Sequence, residues 1–239
     1  MTSDFFNYQH FTIRQSHAAM KVGTDSDLLG TLAKGGRTIL DIGTGTGIIA
    51  LMLAQRFPQS TITAIEIDSN AVEDARYNFL HSPWSDKITL IHKSLQEYLA
   101  TEPPSRFQAV VCNPPYFDRS LECPSQGRTR ARHTSSLPFS TLINGAYTLL
   151  ENDGLFSVCI PPEVLDEFTN LCLSAGFSIY ATTCVKTLPS KPPKRFVLTL
   201  KKGITDNPQQ STHCLRNQDR TRSPWYKELM QDFLICGDL

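Results

Sequence analysis

Three glycines at alternate positions follow an acidic residue in the run Asp41–Gly47, which reads D-I-G-T-G-T-G. Glycine has no Cβ atom, so a ligand can lie against the backbone, and a helix beginning just beyond offers free N–H groups. The spacing is G-x-G-x-G, unlike the G-x-G-x-x-G of dinucleotide-binding turns. Because a carboxylate at Asp41 would repel a pyrophosphate, the run predicts a nucleotide-type site for a ligand with a positive charge.

A second chemically specific feature is the run Asn113-Pro114-Pro115-Tyr116, which follows an apolar stretch at 107–112. A residue before proline is held extended, and proline itself has no N–H group. The Asn113 side-chain oxygen and the Pro114 carbonyl therefore form a rigid edge of hydrogen-bond acceptors. Such an edge suits a planar amine, with the ring of Tyr116 stacked on its plane.

Alternating strand and helix patterns indicate an α/β fold with helices on both faces of a parallel sheet. The last two strands lack an intervening helix, so we expect a seven-stranded, mostly parallel sheet that ends in an antiparallel hairpin at its edge. Asn70 and Glu73 are spaced to cap a helix. Strands are predicted at 37–42, 61–66, 88–91, 107–112, 154–160, 177–185 and 195–201, and helices at 26–33, 46–56, 70–80, 96–100, 139–150 and 163–174.

In such a sheet, ligands bind beyond the carboxyl ends of the strands. Asp41, Glu66 and Asn113 each lie at such an end. Glu66 follows the glycine turn by about 20 residues, where an acid commonly binds ribose hydroxyls. The three features therefore predict one shared site.

The flanking segments differ from this central region. Residues 1–23 form a predicted accessory segment with the aromatic spacing of a short strand or hairpin, and 24–203 form the main domain. Residues 204–239 are a predicted tail: 205–223 is polar and is expected to be a mobile connection to a short helix at 225–234. The role of the tail is not apparent from the sequence.

Composition narrows the class of protein. The 239 residues have a formal net charge of +0 and 40% hydrophobic residues, typical of a globular protein. Seven cysteines form no C-x-x-C pair, and no signal peptide or long apolar run is present, so we expect a reduced, cytoplasmic location without a membrane span or metal. Nothing in the sequence indicates an oligomeric partner.

The glycine run, the acid ending the second strand and the N-P-P-Y run together resemble the class I S-adenosylmethionine-dependent methyltransferases, which have a Rossmann-like fold. Three further runs, A-M-K-V-G-T-D at 19–25, L-M-L-A-Q-R at 51–56 and S-P-W at 82–84, are similar to the bacterial tRNA(Val) adenine-N6 methyltransferases. Those enzymes modify the adenine at position 37, in the anticodon loop. The resemblance extends from about residue 5 to 200.

The resemblance implies S-adenosylmethionine as cofactor, tRNA as substrate, and a set of roles. One departure is Ser94, which stands where relatives tend to carry an acid near the cofactor adenine. The implied catalytic residues are Asn113, Pro114 and Tyr116, and the implied cofactor-binding residues are Lys21, Thr24, Asp25, Asp41, Gly43, Gly45, Gly47, Glu66, Ser94 and Asn113.

Basic residues crowd two loops expected near the site. We predict RNA contacts from Arg128, Arg130, Arg132, Lys191, Lys194 and Arg195. Alternatives stay open at this level: an N-P-P-Y edge also suits a glutamine side chain of a peptide-release factor, or adenine in rRNA or DNA. A cofactor-dependent RNA-binding module without turnover is the alternative outside enzymes.

Overall fold

A computed structural model describes residues 4–101, 106–114 and 137–235. The strands are β1 (Phe5–Asn7), β2 (Thr12–Arg14), β3 (Thr38–Ile42), β4 (Thr61–Glu66), β5 (Ile88–His92), β6 (Phe107–Cys112), β7 (Leu150–Ile160), β8 (Phe177–Lys186), β9 (Pro193–Lys202) and β10 (Gln209–Cys214). The helices are α1 (Thr24–Leu32), α2 (Ile48–Arg56), α3 (Ser69–Leu80), α4 (Leu95–Thr101), α5 (Phe139–Leu149), α6 (Leu165–Ser174) and α7 (Pro224–Met230), and a 3-10 turn at Pro162–Val164 precedes α6.

The main sheet has eight strands in the order β10-β8-β9-β7-β6-β3-β4-β5. Strands β3 to β7 run parallel, and β9 is antiparallel to both β7 and β8. This confirms the predicted α/β architecture with an antiparallel pair near the carboxyl terminus. The predicted elements occur with bounds shifted by four residues or fewer.

The central strands are apolar because helices cover both of their faces. Successive side chains of a strand point to opposite faces. Ile39 accordingly packs in one core with α1 and α2, whereas Leu40 packs in the second core with α5. Helix α2 is buried along Ile48–Ala54, which explains its lack of polar residues there.

The main difference from the sequence-based prediction is the strand β10, which lies within the stretch expected to be a polar connection. It pairs in parallel with β8, so Gln209 is opposite Ala181 and Cys214 is opposite Lys186. The β8–β9 hairpin therefore does not form the sheet edge. The β10 side chains are mostly exposed, so the backbone hydrogen bonds to β8 hold the strand rather than an apolar face.

Two local predictions differ in outcome. The amino-terminal residues form the expected hairpin, β1 pairing with β2, and it buries Tyr8, Phe11 and Ile13. The predicted cap of α3 was wrong: Asp68 caps this helix and accepts a hydrogen bond from the Asn70 amide. The division at residues 23 and 203 stays a prediction.

Within the described ranges, no helix is long and apolar enough to span a membrane. In the same parts of the chain, no three His, Cys, Asp or Glu side chains are grouped closely enough to hold a metal ion.

Candidate cofactor and substrate cavity

A cavity of about 740 Å³ opens at the carboxyl ends of β3, β4 and β6. The glycine turn after β3, Glu66 at the end of β4, and Asn113 with Pro114 after β6 all line it. Parallel strands end at the same edge of the sheet, so these three features, distant in the sequence, share one wall.

Most of the predicted site residues are on this wall. Asp41 and Gly47 are not, and Lys191 lies in the β8–β9 turn outside the lining. Tyr116, Arg128, Arg130 and Arg132 fall outside the described residues. The predicted residues that line the cavity are Lys21, Thr24, Asp25, Gly43, Gly45, Glu66, Ser94, Asn113, Pro114, Lys194 and Arg195.

The glycine turn presents bare backbone to the cavity. Gly43 and Gly45 have φ angles of +68° and +57°, and a Cβ atom added to either would meet nothing within 4 Å. Side chains at these positions would therefore project into open space that a ligand can use. Position 47 requires glycine for a different reason: its φ is +84°, and a Cβ there would lie 2.4 Å from the Phe79 ring.

Asp41 lies beneath the turn and is fully buried. The Thr44 hydroxyl donates to its Oδ2 at 2.6 Å, whereas Oδ1 has no hydrogen-bond partner among the described residues. Burial, with a smaller contribution from the nearby charge of Glu66, raises the pKa of Asp41 to about 7 against the lowering effect of the Thr44 hydrogen bond. A buried, under-compensated carboxylate behind the wall fits a cationic ligand, since the positive charge would stabilise the ionised form.

Glu66 holds the turn in shape while facing the cavity. Its Oε2 accepts from the Gly45 amide at 2.9 Å, and its Oε1 accepts from the amides of Ile67 and Asp68 at 2.8 and 2.9 Å. A carboxylate oxygen has two lone pairs, so Oε2 retains room for one hydroxyl donor. The contact of Glu66 with a ribose stays a prediction.

Ser94 caps the start of α4. The Ser94 amide donates to Glu97 Oε2 at 2.8 Å and the Ser94 hydroxyl accepts from the Glu97 amide at 3.1 Å, which together are a capping box. The hydroxyl also donates to Glu97 Oε2 at 2.7 Å. The S-x-x-E spacing at 94–97 was the signal for this, and the sequence-based interpretation missed it. Gln96, two residues after Ser94, also lines the cavity and is exposed.

Several lining residues were not predicted. Ile67 is 60% exposed and directly follows Glu66, so its apolar surface lies open at the cavity. The acid at the end of β4 was the signal that could have pointed to it. The other unpredicted lining residues with polar groups include Lys93, Gln96, Thr187 and Arg216.

Asp25 and Arg195, predicted for separate roles, form one ion pair. The Arg195 Nε lies 2.8 Å from both carboxylate oxygens of Asp25, which is the second residue of α1. The pair joins the amino-terminal side of the cavity to β9. Arg195 is thus partly engaged within the protein, and its predicted RNA contact stays a prediction.

A family model described as "Methyltransferase small domain" matches residues 15–161. A tRNA1(Val) (adenine(37)-N6)-methyltransferase of Bacteroides thetaiotaomicron is 39% identical over 98% of this chain and 99% of its own length. The enzyme of the same description from Vibrio campbellii is 35% identical over 96% and 95%.

Solved structures share the fold. A chain described as a predicted O-methyltransferase from Agrobacterium tumefaciens has a TM-score of 0.70 at 21% identity, covering 87% of this chain and 96% of that one. The 16S rRNA N2 G1207 methyltransferase of T. thermophilus has a TM-score of 0.55 at 20% identity, covering 83% and 50%. The fold and the full-length similarity agree: this chain belongs to the methyltransferase small domain family and, within it, to the tRNA1(Val) (adenine(37)-N6)-methyltransferases.

Proposed function

We propose that this protein transfers a methyl group to the exocyclic N6 of adenine 37, in the anticodon loop of tRNA1(Val). The cofactor is S-adenosylmethionine, whose sulfonium, when bound, supplies a methyl group without any side-chain nucleophile. The observation that supports this best is the shared wall, where a bare glycine turn and Glu66 face the same cavity as Asn113 and Pro114.

The residues of this chain supply binding and orientation. The glycine turn gives a ligand close access to the backbone, Glu66 accepts hydroxyl donors, and Asp41 provides negative charge behind the turn. These groups match the sugar and the ammonium of the cofactor in chemical type.

Asn113 and Pro114 act on the substrate amine. An adenine N6 lone pair is delocalised into the ring, so it is a weak nucleophile. The Asn113 side-chain oxygen and the Pro114 carbonyl can accept the two amine hydrogens and orient the lone pair. This is positioning and electrostatic assistance rather than general-base catalysis, and the nitrogen releases its surplus proton to solvent after it has accepted the methyl group. Tyr116, outside the described residues, stays the predicted stacking partner of the base.

The target adenine must be unpaired to enter such a cavity. Enzymes that act on a base reach it in a single-stranded loop or flip it out of a duplex. The names of the relatives specify adenine 37 of tRNA1(Val), and we infer the same target here. A cytoplasmic location stays a prediction.

Replacing Asn113 tests this assignment. Asn113→Ala should reduce turnover on tRNA roughly 100-fold or more while cofactor affinity stays near normal, because the amide acts mainly in the transition state. Turnover is measured with labelled S-adenosylmethionine on total tRNA, total rRNA, DNA and a release factor, and affinity by titration calorimetry. Asn144→Ala, an exposed position on α5, is the matched control.

Labelled methyl groups in the release factor, rRNA or DNA instead of tRNA would overturn the assignment of tRNA as the substrate. Near-normal turnover of Asn113→Ala would overturn the role of Asn113, and cofactor binding with no turnover on any substrate would support a binding module instead.

A further inference from the structure

The carboxyl-terminal segment carries a basic turn directly beside the cavity. We define the arginine turn as residues 216–222, which follow β10. Arg216 lines the cavity together with Lys194, and both side chains are exposed. Arg220 is exposed as well. The polar segment without an assigned role thus reaches the mouth of the site.

Internal hydrogen bonds shape the arginine turn. The Asn217 amide donates to the Thr221 carbonyl at 2.8 Å, and the Arg216 Nη1 donates to the Arg220 carbonyl at 2.8 Å. Asp219, the acid within the turn, accepts from both the amide and the hydroxyl of Thr221. The turn is therefore organised by its own polar groups.

The arginine turn lies against the β8–β9 turn, residues 187–192. The amides of Leu215 and Arg216 donate to the carbonyls of Lys186 and Thr187 at 2.8 and 3.1 Å. Gln218 Nε2 also donates to the Ser190 hydroxyl at 3.3 Å. The arginine turn is thereby held beside the β8–β9 turn, which carries Lys191 and leads into β9 with Lys194.

The basic side chains on this edge are not neutralised by carboxylates of the described residues. Within the described ranges, no carboxylate forms an ion pair with Lys191, Lys194, Arg216 or Arg220. Asp25, which lines the same cavity, is paired with Arg195, and Asp219 within the turn is bonded to Thr221.

Arg222 differs from the other arginines of the turn. Its guanidinium lies 5.5 Å from the centre of the Tyr226 ring, and its Nη1 is buried. It points into the protein and is not part of the exposed charge.

We infer that the arginine turn and the β8–β9 turn form one phosphate-binding surface for the RNA backbone next to the target nucleotide. The inference rests on the proposed function and deepens it. Exposed guanidinium and ammonium groups that no described carboxylate pairs with complement phosphates, and the pairing of β10 with β8 sets the position of the arginine turn. Because Arg216 lines the cavity, the phosphates contacted are those flanking the adenine.

The test removes two charges from the arginine turn, with a matched pair removed elsewhere. The variant is Arg216→Ala with Arg220→Ala, and the control is Lys34→Ala with Arg37→Ala, two exposed residues before the amino end of β3. RNA binding is measured between about 50 and 200 mM salt, with whole tRNA1(Val) and with its isolated anticodon stem-loop, and cofactor binding by calorimetry.

The ratio of the affinities at low and high salt should fall about tenfold for the variant, because each phosphate contact contributes roughly a threefold change over this range. The stem-loop should show the same loss as whole tRNA, and cofactor affinity should not change. The control should keep the wild-type slope.

The failure of this inference differs from that of the proposed function. If the wild type methylates tRNA1(Val) and the variant keeps the wild-type dependence of RNA affinity on salt, the assignment of the phosphate-binding surface is wrong. The proposed function is then unaffected. A loss seen with whole tRNA alone would overturn contact with the flanking phosphates. If the wild type does not methylate tRNA, the proposed function itself is wrong.

Discussion

At the residue scale, Asp41 shows how one carboxylate can serve a site without lining it. It is fully buried, and the turn that it supports through Thr44 carries the cavity wall. Gly43 and Gly45 leave space for a ligand, whereas Gly47 leaves space for Phe79. Glycine is therefore required in this motif for two reasons, ligand access at two positions and core packing at the third.

The titration of Asp41 gives a prediction for stability. Burial raises its pKa from 3.8 to about 7, so between these values the folded state holds a proton that the unfolded chain has lost. The free energy of unfolding should thus fall by up to about 1.4 kcal/mol per pH unit as the pH rises from about 4 to about 7. Above about pH 7 it should become constant. Asp41→Asn lacks this titration.

Urea unfolding of both proteins at several pH values measures the difference, since other titrating groups are common to both. Wild-type stability relative to Asp41→Asn should fall with rising pH and then become constant. A difference that does not change between about pH 5 and 7 would contradict the raised pKa.

At the scale of elements, α3 clamps the amino-terminal segment onto the cavity. The buried Asp74 accepts hydrogen bonds from the amides of His17 and Ala18 and from Arg14 Nε, at 2.8 to 2.9 Å. Burial alone would raise the pKa of Asp74, but these bonds outweigh it and hold the pKa below its ordinary value. The next residues, from Ala18 onward, line the cavity.

Asn78, one turn further along α3, completes this clamp. It accepts from the Arg14 amide at 2.7 Å and donates to the Arg14 and Thr46 carbonyls at 2.9 and 2.8 Å. One side chain therefore joins the amino-terminal segment to the glycine turn.

Asp74→Asn should lower the free energy of unfolding by about 1.5–3 kcal/mol, because an amide nitrogen would face backbone donors where a charged acceptor now lies. It should also weaken cofactor binding, since the clamped segment covers the cavity. Denaturant unfolding and calorimetry measure the two effects. Glu73→Gln, a neighbour whose side chain is 61% exposed, is the control and should change stability by less than about 1 kcal/mol. Lost stability with unchanged cofactor affinity would show that the segment does not shape the site.

At the scale of the whole molecule, the two ends of the described chain pack together. Gln9 donates its amide to the Phe233 carbonyl at 2.8 Å and its side chain to the Leu234 carbonyl at 2.6 Å. Tyr8 donates to Asp27 on α1 at 2.6 Å, and burial raises the pKa of Asp27 to about 6. The described part of the tail thus packs into the same core as the amino-terminal hairpin and α1.

Phe233→Ala should therefore destabilise the protein by about 3–5 kcal/mol, the range for emptying a buried aromatic site. Phe233 is 3% exposed, whereas Ile235, two residues further, is 42% exposed. Ile235→Ala should change stability by about 0.5 kcal/mol or less. Thermal and denaturant unfolding compare the two variants. Equal, small effects would mean that the tail is not integral to the fold.

The sequence by itself determined the features that depend on neighbouring residues. The glycine turn, the acid ending β4 and the proline-held Asn113 follow from local spacing. Apolar periodicity predicted the strands and helices for the same reason, because side chains facing a core must repeat with the period of the element.

Only the tertiary structure decided the contacts between distant residues. Arg195 and Asp25 are 170 positions apart, and no local pattern records that they pair. The strand β10 has no apolar alternation, since it is held by backbone hydrogen bonds to β8, which do not require apolar side chains. Asp74 accepts three hydrogen bonds from residues 56 to 60 positions before it, which only the fold brings to its side chain. Local periodicity reports which face of an element is buried, whereas only the folded chain determines its partner.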